Sequence, residues 1–221
     1  MPTLLHLDCS ARPESVSAQI TAEFAAAWRV AHPEGRLRHR NLARCPVPHV
    51  DGAHIETVTR LETAGIVDLE EARQAARTLP ERRSWSTTWK LIDELLLADV
   101  LLIGLPVYHL SVPSVFKAWL DRIGIPPLFV LPKTGRGPLS GTRVVVATAH
   151  GAAYGQDVPH EDFLEPHLRA VFRALGLADD LVFLRAEMTK AGHVPWLSPF
   201  RTAAQGSLEQ AIESAREAAR R

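Results

Sequence analysis

The stretch DVLLIGLPVYHLSVPSVFKAWLDRI, residues 99–123, runs from buried-looking aliphatic residues, through a turn crowded with Pro106, Tyr108, His109 and Pro113, into an amphipathic segment. Residues 99–105 are nearly continuous in apolar character rather than alternating, the pattern of a strand covered on both faces. A turn that only reverses the chain is served by Gly, Asn or Asp at small cost. A Tyr and a His between two prolines point instead to a surface that holds something flat.

Outward from that stretch, "TLLHL" (3–7), "RVVVATA" (143–149) and "LVFL" (181–184) read as further strands of the same covered kind. The segment "GRLRHRNL" (35–42) alternates apolar and basic residues, as an edge strand with one wet side does. Helical periodicity covers roughly 15–31, 85–98, 113–123, 161–175 and 203–220. Strand and helix therefore alternate, which predicts an α/β doubly wound parallel sheet of five strands with helices on both faces. Residues 46–84 form a long excursion between the second and third strands, and "PKTGRGPLSG" (132–141) reads as an exposed loop.

At 221 residues the chain fits one domain, 1–221, large enough to bury a core without disulfides or metals. Lys plus Arg and Asp plus Glu stand at 25 each, so no long-range field steers it to nucleic acid or an anionic membrane, and the expected partner is a small molecule. Cys9 and Cys45 show neither CxxC nor Cys/His ligand spacing, so no metal site is expected and a reducing, cytoplasmic setting is. No signal peptide or membrane span is legible.

In an open parallel sheet, ligands bind beyond the carboxyl ends of the strands. After the first strand, Ser10, Ser15 and Ser17 surround a helix start, where unpaired N–H groups and the helix dipole can hold an anion; simple N-capping explains the same serines equally well. After the third comes the opening turn, and after the fourth comes "ATAHGAAYG" (147–155), whose small residues let backbone approach a ligand and whose His150 can donate a hydrogen bond. An anion at one loop and a ring at two others describe a mononucleotide with a large planar base. Walker and GxSxG patterns are missing, which argues against a nucleoside triphosphate site and a hydrolase elbow.

These residues resemble those of the FMN-dependent NADH-azoreductases, a flavodoxin-like family of NAD(P)H:quinone oxidoreductases. The similarity spans "CSARPESVSAQ", "LPVYHLSVPSVFKAWLDRI", "SGTRVVVATAHGA" and "AEMTKAGHVPWLSPF", the second being the most specific. The resemblance implies sheet order 2-1-3-4-5, noncovalently bound FMN, NADH or NADPH as donor, a quinone or azo acceptor, two-step (ping-pong) hydride transfer, and a homodimer with the site at its interface. By position it places Cys9, Ser10, Ser15 and Ser17 at the phosphate, and Pro106, Val107, Tyr108, His109, Leu110, Thr148, Ala149, His150, Gly151 and Ala152 around the ring. It puts Phe129 towards the substrate from the partner subunit; the residues expected to be catalytic are His150, as a proton source for the acceptor, and Tyr108. His109 stands where the family has Asn, His150 where Arg is frequent, and Ala149 where Ser is. Losing one hydrogen bond costs about 0.5–1.5 kcal/mol, against about 8 kcal/mol for a micromolar ligand, so flavin binding is expected to survive these exchanges. The alternative is a flavin-binding redox sensor, or a specialised-metabolism flavoenzyme with altered chemistry.

Overall fold

Continuous apolar runs need cover on two sides, and the chain provides it with one parallel sheet sandwiched between helices. The computed structural model describes residues 1–131, 135–153 and 162–221. Parts of the loop expected at 132–141, of the loop expected at 147–155 and the first residue of the helix expected at 161–175 lie outside those residues. The strands are β1 (Thr3–Asp8), β2 (Arg36–Asn41), β3 (Val100–Pro106), β4 (Arg143–Ala149) and β5 (Leu181–Ala186), in the expected spatial order β2-β1-β3-β4-β5 with every pair parallel.

Side-chain parity divides the core in two. Leu5, Leu7, Leu101, Ile103, Leu105, Val144 and Val146 point to one face, where α4 (Leu79–Leu96), α5 (Ser114–Ile123) and α7 (Leu164–Ala174) cover them. Leu4, Leu102, Val145, Ala147 and Leu184 point to the other, beneath α1 (Val16–Ala31) and α8 (Arg201–Ala218). Edge strand β2 keeps Arg36, Arg38 and His39 exposed, in line with its alternating sequence.

The excursion at 46–84 holds α2 (Gly52–Ala64), α3 (Leu69–Arg73) and the first turn of α4. That helix begins at Leu79 rather than near 85 because Thr78 and Glu81 form a reciprocal capping box, with a proline in the first turn. A short helix, α6 (Pro126–Phe129), follows α5. Among the described residues no helix is long and apolar enough to cross a membrane.

One buried cation ties the excursion to the sheet's helical cover. Arg122 on α5 is 1% exposed; its Nε donates to Pro48 O at 2.8 Å, its Nη2 to His49 O at 2.7 Å, and its Nη1 to Ser84 O and Oγ at 3.1 and 2.9 Å. Replacing Arg122 with Ala leaves several carbonyls without their donor, so we expect a loss of roughly 3–5 kcal/mol in urea denaturation. Arg122→Lys should recover little, since one ammonium cannot span acceptors that a planar fork reaches.

Candidate functional site

Helix α1 follows β1 after a seven-residue loop, 9–15. Ser15 is its N-cap, with Oγ accepting from Ala18 N at 3.3 Å and lying 3.1 Å from Ser17 Oγ. Ser10 Oγ accepts from Arg12 N at 3.2 Å, which bends the intervening loop over the helix start. The first-turn N–H groups of α1, its positive dipole end and the exposed Arg12 guanidinium all favour an anion here, with exposed Glu14 opposing.

Beyond β3 the chain makes a two-residue hairpin turn: Tyr108 N donates to Ser111 O, and Ser111 N to Tyr108 O, both at 3.0 Å. Its central residues, His109 and Leu110, have φ of 49° and 67°. A turn of this shape favours Asn-Gly; a leucine in the left-handed region costs about 1–2 kcal/mol. Strain of this kind clusters at functional sites. Among the described residues, the N–H groups of His109, Leu110, Gly151 and Ala152 bond to no backbone acceptor.

The turn after β4 lies beside the first. Val107 N donates to Ala149 O at 3.0 Å, so the β3 exit is pinned to the β4 exit. Thr189, beyond β5, closes the far side: its N and Oγ1 donate to His150 O at 3.0 and 2.9 Å. Lys190 lies across Gly151 so closely that a Cβ there would sit 2.8 Å from Lys190 Cε.

These exits surround one cavity of about 980 Å³. Of the residues expected at a ligand, Ser10, Ser15, Pro106, Val107, Tyr108, His109, Leu110, Ala149, Gly151 and Ala152 line it. Cys9, Ser17, Thr148 and His150 sit behind that wall at 1% exposure or less. Burial pushes the Cys9 thiol well up, and the Asp8 charge adds to this. His150 Nε2 is 3.1 Å from Thr148 Oγ1, and burial lowers its imidazole to about 4. Phe129 is fully buried in the core and presents no ring to the surface.

A fourth wall comes from the stretch AEMTKAGHVPWLSPF, which carries part of the resemblance but to which the sequence reading gives no site role: Thr189, Lys190, His193, Val194, Trp196 and Leu197. Trp196 is 79% exposed at the start of a 3-10 turn, Pro195–Phe200. The signal for this segment is its place directly after edge strand β5, where a ligand beyond the carboxyl ends of the strands is also within reach.

The flavodoxin-like fold profile matches residues 2–218. A protein of Nocardia farcinica named FMN-dependent NADH:quinone oxidoreductase is 39% identical over 218 residues, spanning 98% of this chain and 97% of its own. One of the same name from Frankia casuarinae is 37% identical over 219 residues, spanning 98% of each. Among solved structures, an FMN-dependent NADH-azoreductase of Bacillus anthracis in complex with FMN aligns at TM-score 0.76 and 22% identity, covering 99% of this chain and 100% of that one. At that identity the likeness speaks for the fold.

Two outcomes follow from the geometry. Leu110→Gly should stabilise the protein by about 0.5–1 kcal/mol in urea denaturation, by relieving the left-handed leucine. The β-branched Leu110→Val should destabilise it. His150 is held neutral, so its contribution is complete above its unfolded value of 6.5 and is lost as pH falls towards about 4. A His150→Gln variant should show a flatter loss of denaturation midpoint across that window.

Proposed function

The chain belongs to the flavodoxin-like fold family, and from that membership we propose that it is an FMN-dependent NADH:quinone oxidoreductase that also accepts azo compounds. The observation that carries this reading is the convergence of three strand exits on one cavity, with an anion-favouring helix start at one end and two glycine-and-alanine or strained turns beside it. Relatives sharing over a third of the sequence along the whole chain carry that name.

The residues present fit the group. Ser10, Ser15, Arg12 and the first-turn N–H groups of α1 would hold the phosphate. Pro106–Leu110 and Ala149–Ala152 would grip the ring between them, and the N–H groups of His109, Leu110, Gly151 and Ala152 would donate to its polar edge. When bound, FMN would supply two-electron hydride transfer from NADH to the acceptor. The Lys190 ammonium, carried across Gly151, would place positive charge beside the site. Tyr108, 37% exposed at the cavity, offers a flat face to the acceptor and a hydroxyl proton at its Oη. His150 braces the third turn from behind through Thr148 and Thr189.

We further propose that donor and acceptor use the same face in turn, in a ping-pong sequence, and that residues 1–221 act as one domain in the cytoplasm. A homodimer with the cavity at its interface suits the exposed apolar side chains that line the mouth, Leu110 and Trp196.

Purified protein should be yellow, or become so on titration with FMN, and its absorbance should bleach under NADH and return with a quinone or an azo dye. A protein that neither retains nor titrates with FMN overturns the assignment. Bound FMN with no acceptor-dependent turnover would favour a redox sensor instead. Ser15→Ala should lower FMN affinity about tenfold and cost the apoprotein about 1 kcal/mol, because the hydroxyl also caps α1.

A further inference from the structure

Away from the cavity mouth, the sheet carries a second cluster of chemically capable side chains. His6 and Asp8 lie two apart on β1 and so share one face, and His39 on β2 is in register with His6. His6 Nε2 is 3.3 Å from Asp8 Oδ1, and His39 Nε2 is 2.8 Å from Asp8 Oδ2. The two imidazole centroids stand 4.6 Å apart, and one donor atom from each of the three residues falls within 4.8 Å of the others.

We propose that His6, Asp8 and His39 form a binding site for a divalent first-row metal ion, of which Zn²⁺ and Co²⁺ are the probes.

The donor set is two imidazoles and a carboxylate, a set that suits such ions. With bonds of about 2.0–2.2 Å, donors around a tetrahedral ion stand roughly 3.3–3.6 Å apart. The His6–Asp8 separation of 3.3 Å already has that spacing, and His39, now at 2.8 Å from the carboxylate and with a 46% exposed side chain, can rotate to meet the ion. Its exposure also leaves room for water at the remaining coordination position.

Three observations favour a cation over a simple polar cluster. First, His6 is 6% exposed and its Nε2 faces the Asp8 carboxylate at 3.3 Å, too poorly aligned for a well-formed hydrogen bond; coordination gives that buried nitrogen a better partner. Second, Asp8 is 9% exposed and its ionic contacts among the described residues are the two histidines alone, with no lysine or arginine. Third, Thr21 Oγ1 on α1 donates to Asp8 Oδ1 at 3.2 Å, fixing the carboxylate as an outer-sphere partner does around a metal. The ligands come from two strands 31 residues apart, so no ligand spacing betrays them in the sequence. Loading would staple edge strand β2 to β1, immediately before the loop that carries Ser10.

Tag-free, chelator-treated protein titrated with Co²⁺ should develop ligand-field absorption saturating at one ion per chain, and Zn²⁺ should displace it. Zn²⁺ should also raise the thermal midpoint. His39→Ala, an exposed edge-strand change, should weaken binding about tenfold or more and abolish that rise, with circular dichroism confirming the fold. The exposed His49→Ala should leave both unchanged. Absence of saturable Co²⁺ absorption, or equal binding by the His39→Ala protein, overturns the site. None of these readouts uses flavin or turnover, so the result is independent of the function proposed above.

Discussion

Parallel pairing of β1 with β3 and of β3 with β4 is the constraint on which the rest of the molecule depends. It sets Asp8 level with Gly104, and Pro106 level with Ala149, so the chain leaves three inner strands at the same edge of the sheet, within two residues of one another in height. Parallel pairing requires crossovers, and crossover helices bury both faces; that is why the strands are continuous apolar runs. The packing is close enough to dictate single residues. A Cβ on Gly104 would stand 3.0 Å from Asp8 Oδ1 and 3.2 Å from Thr21 Cγ2, where α1 crosses the sheet.

Stability and strain are distributed unevenly as a result. The inner strands are sealed, with Leu101, Leu102, Ile103 and Leu105 all fully buried. At the rim just beyond them the chain accepts a leucine in the left-handed region and leaves backbone donors without backbone acceptors. Such groups are costly in isolation and useful to a ligand that can satisfy them. The strained turn is held by its neighbours: Val107 is bonded to Ala149, Thr189 to His150, and Pro113 opens α5, whose Arg122 anchors the excursion.

Strand β1 serves both ends of this arrangement. Its last residues carry His6 and Asp8 on the α1 face, and the chain then passes through Cys9 and Ser10 into the cap of α1. Asp8 also accepts a hydrogen bond from Thr21 one turn into that helix. The anion-favouring helix start and the His6–Asp8–His39 cluster are therefore coupled, joined by the loop at 9–14 and by one threonine.

The sequence by itself determined the number and type of the strands, since unbroken apolar runs alternating with amphipathic segments admit few architectures, while their spatial order came from the family resemblance. It also located the three turns at the cavity, because their serines, prolines and small residues lie directly after strands. Thr78 and Glu81, with a proline in the first turn, carry the signal for the earlier start of α4. Tertiary structure alone decided which side chains face the cavity. His150 and Thr148 belong to the right turn yet point behind it, and Lys190 and Trp196 reach the same space from a strand on the edge of the sheet. It alone, too, brought His39 onto Asp8. Side-chain direction at a strand exit and proximity across neighbouring strands arise from register and from packing of distant segments, and neither leaves a periodic trace along the chain.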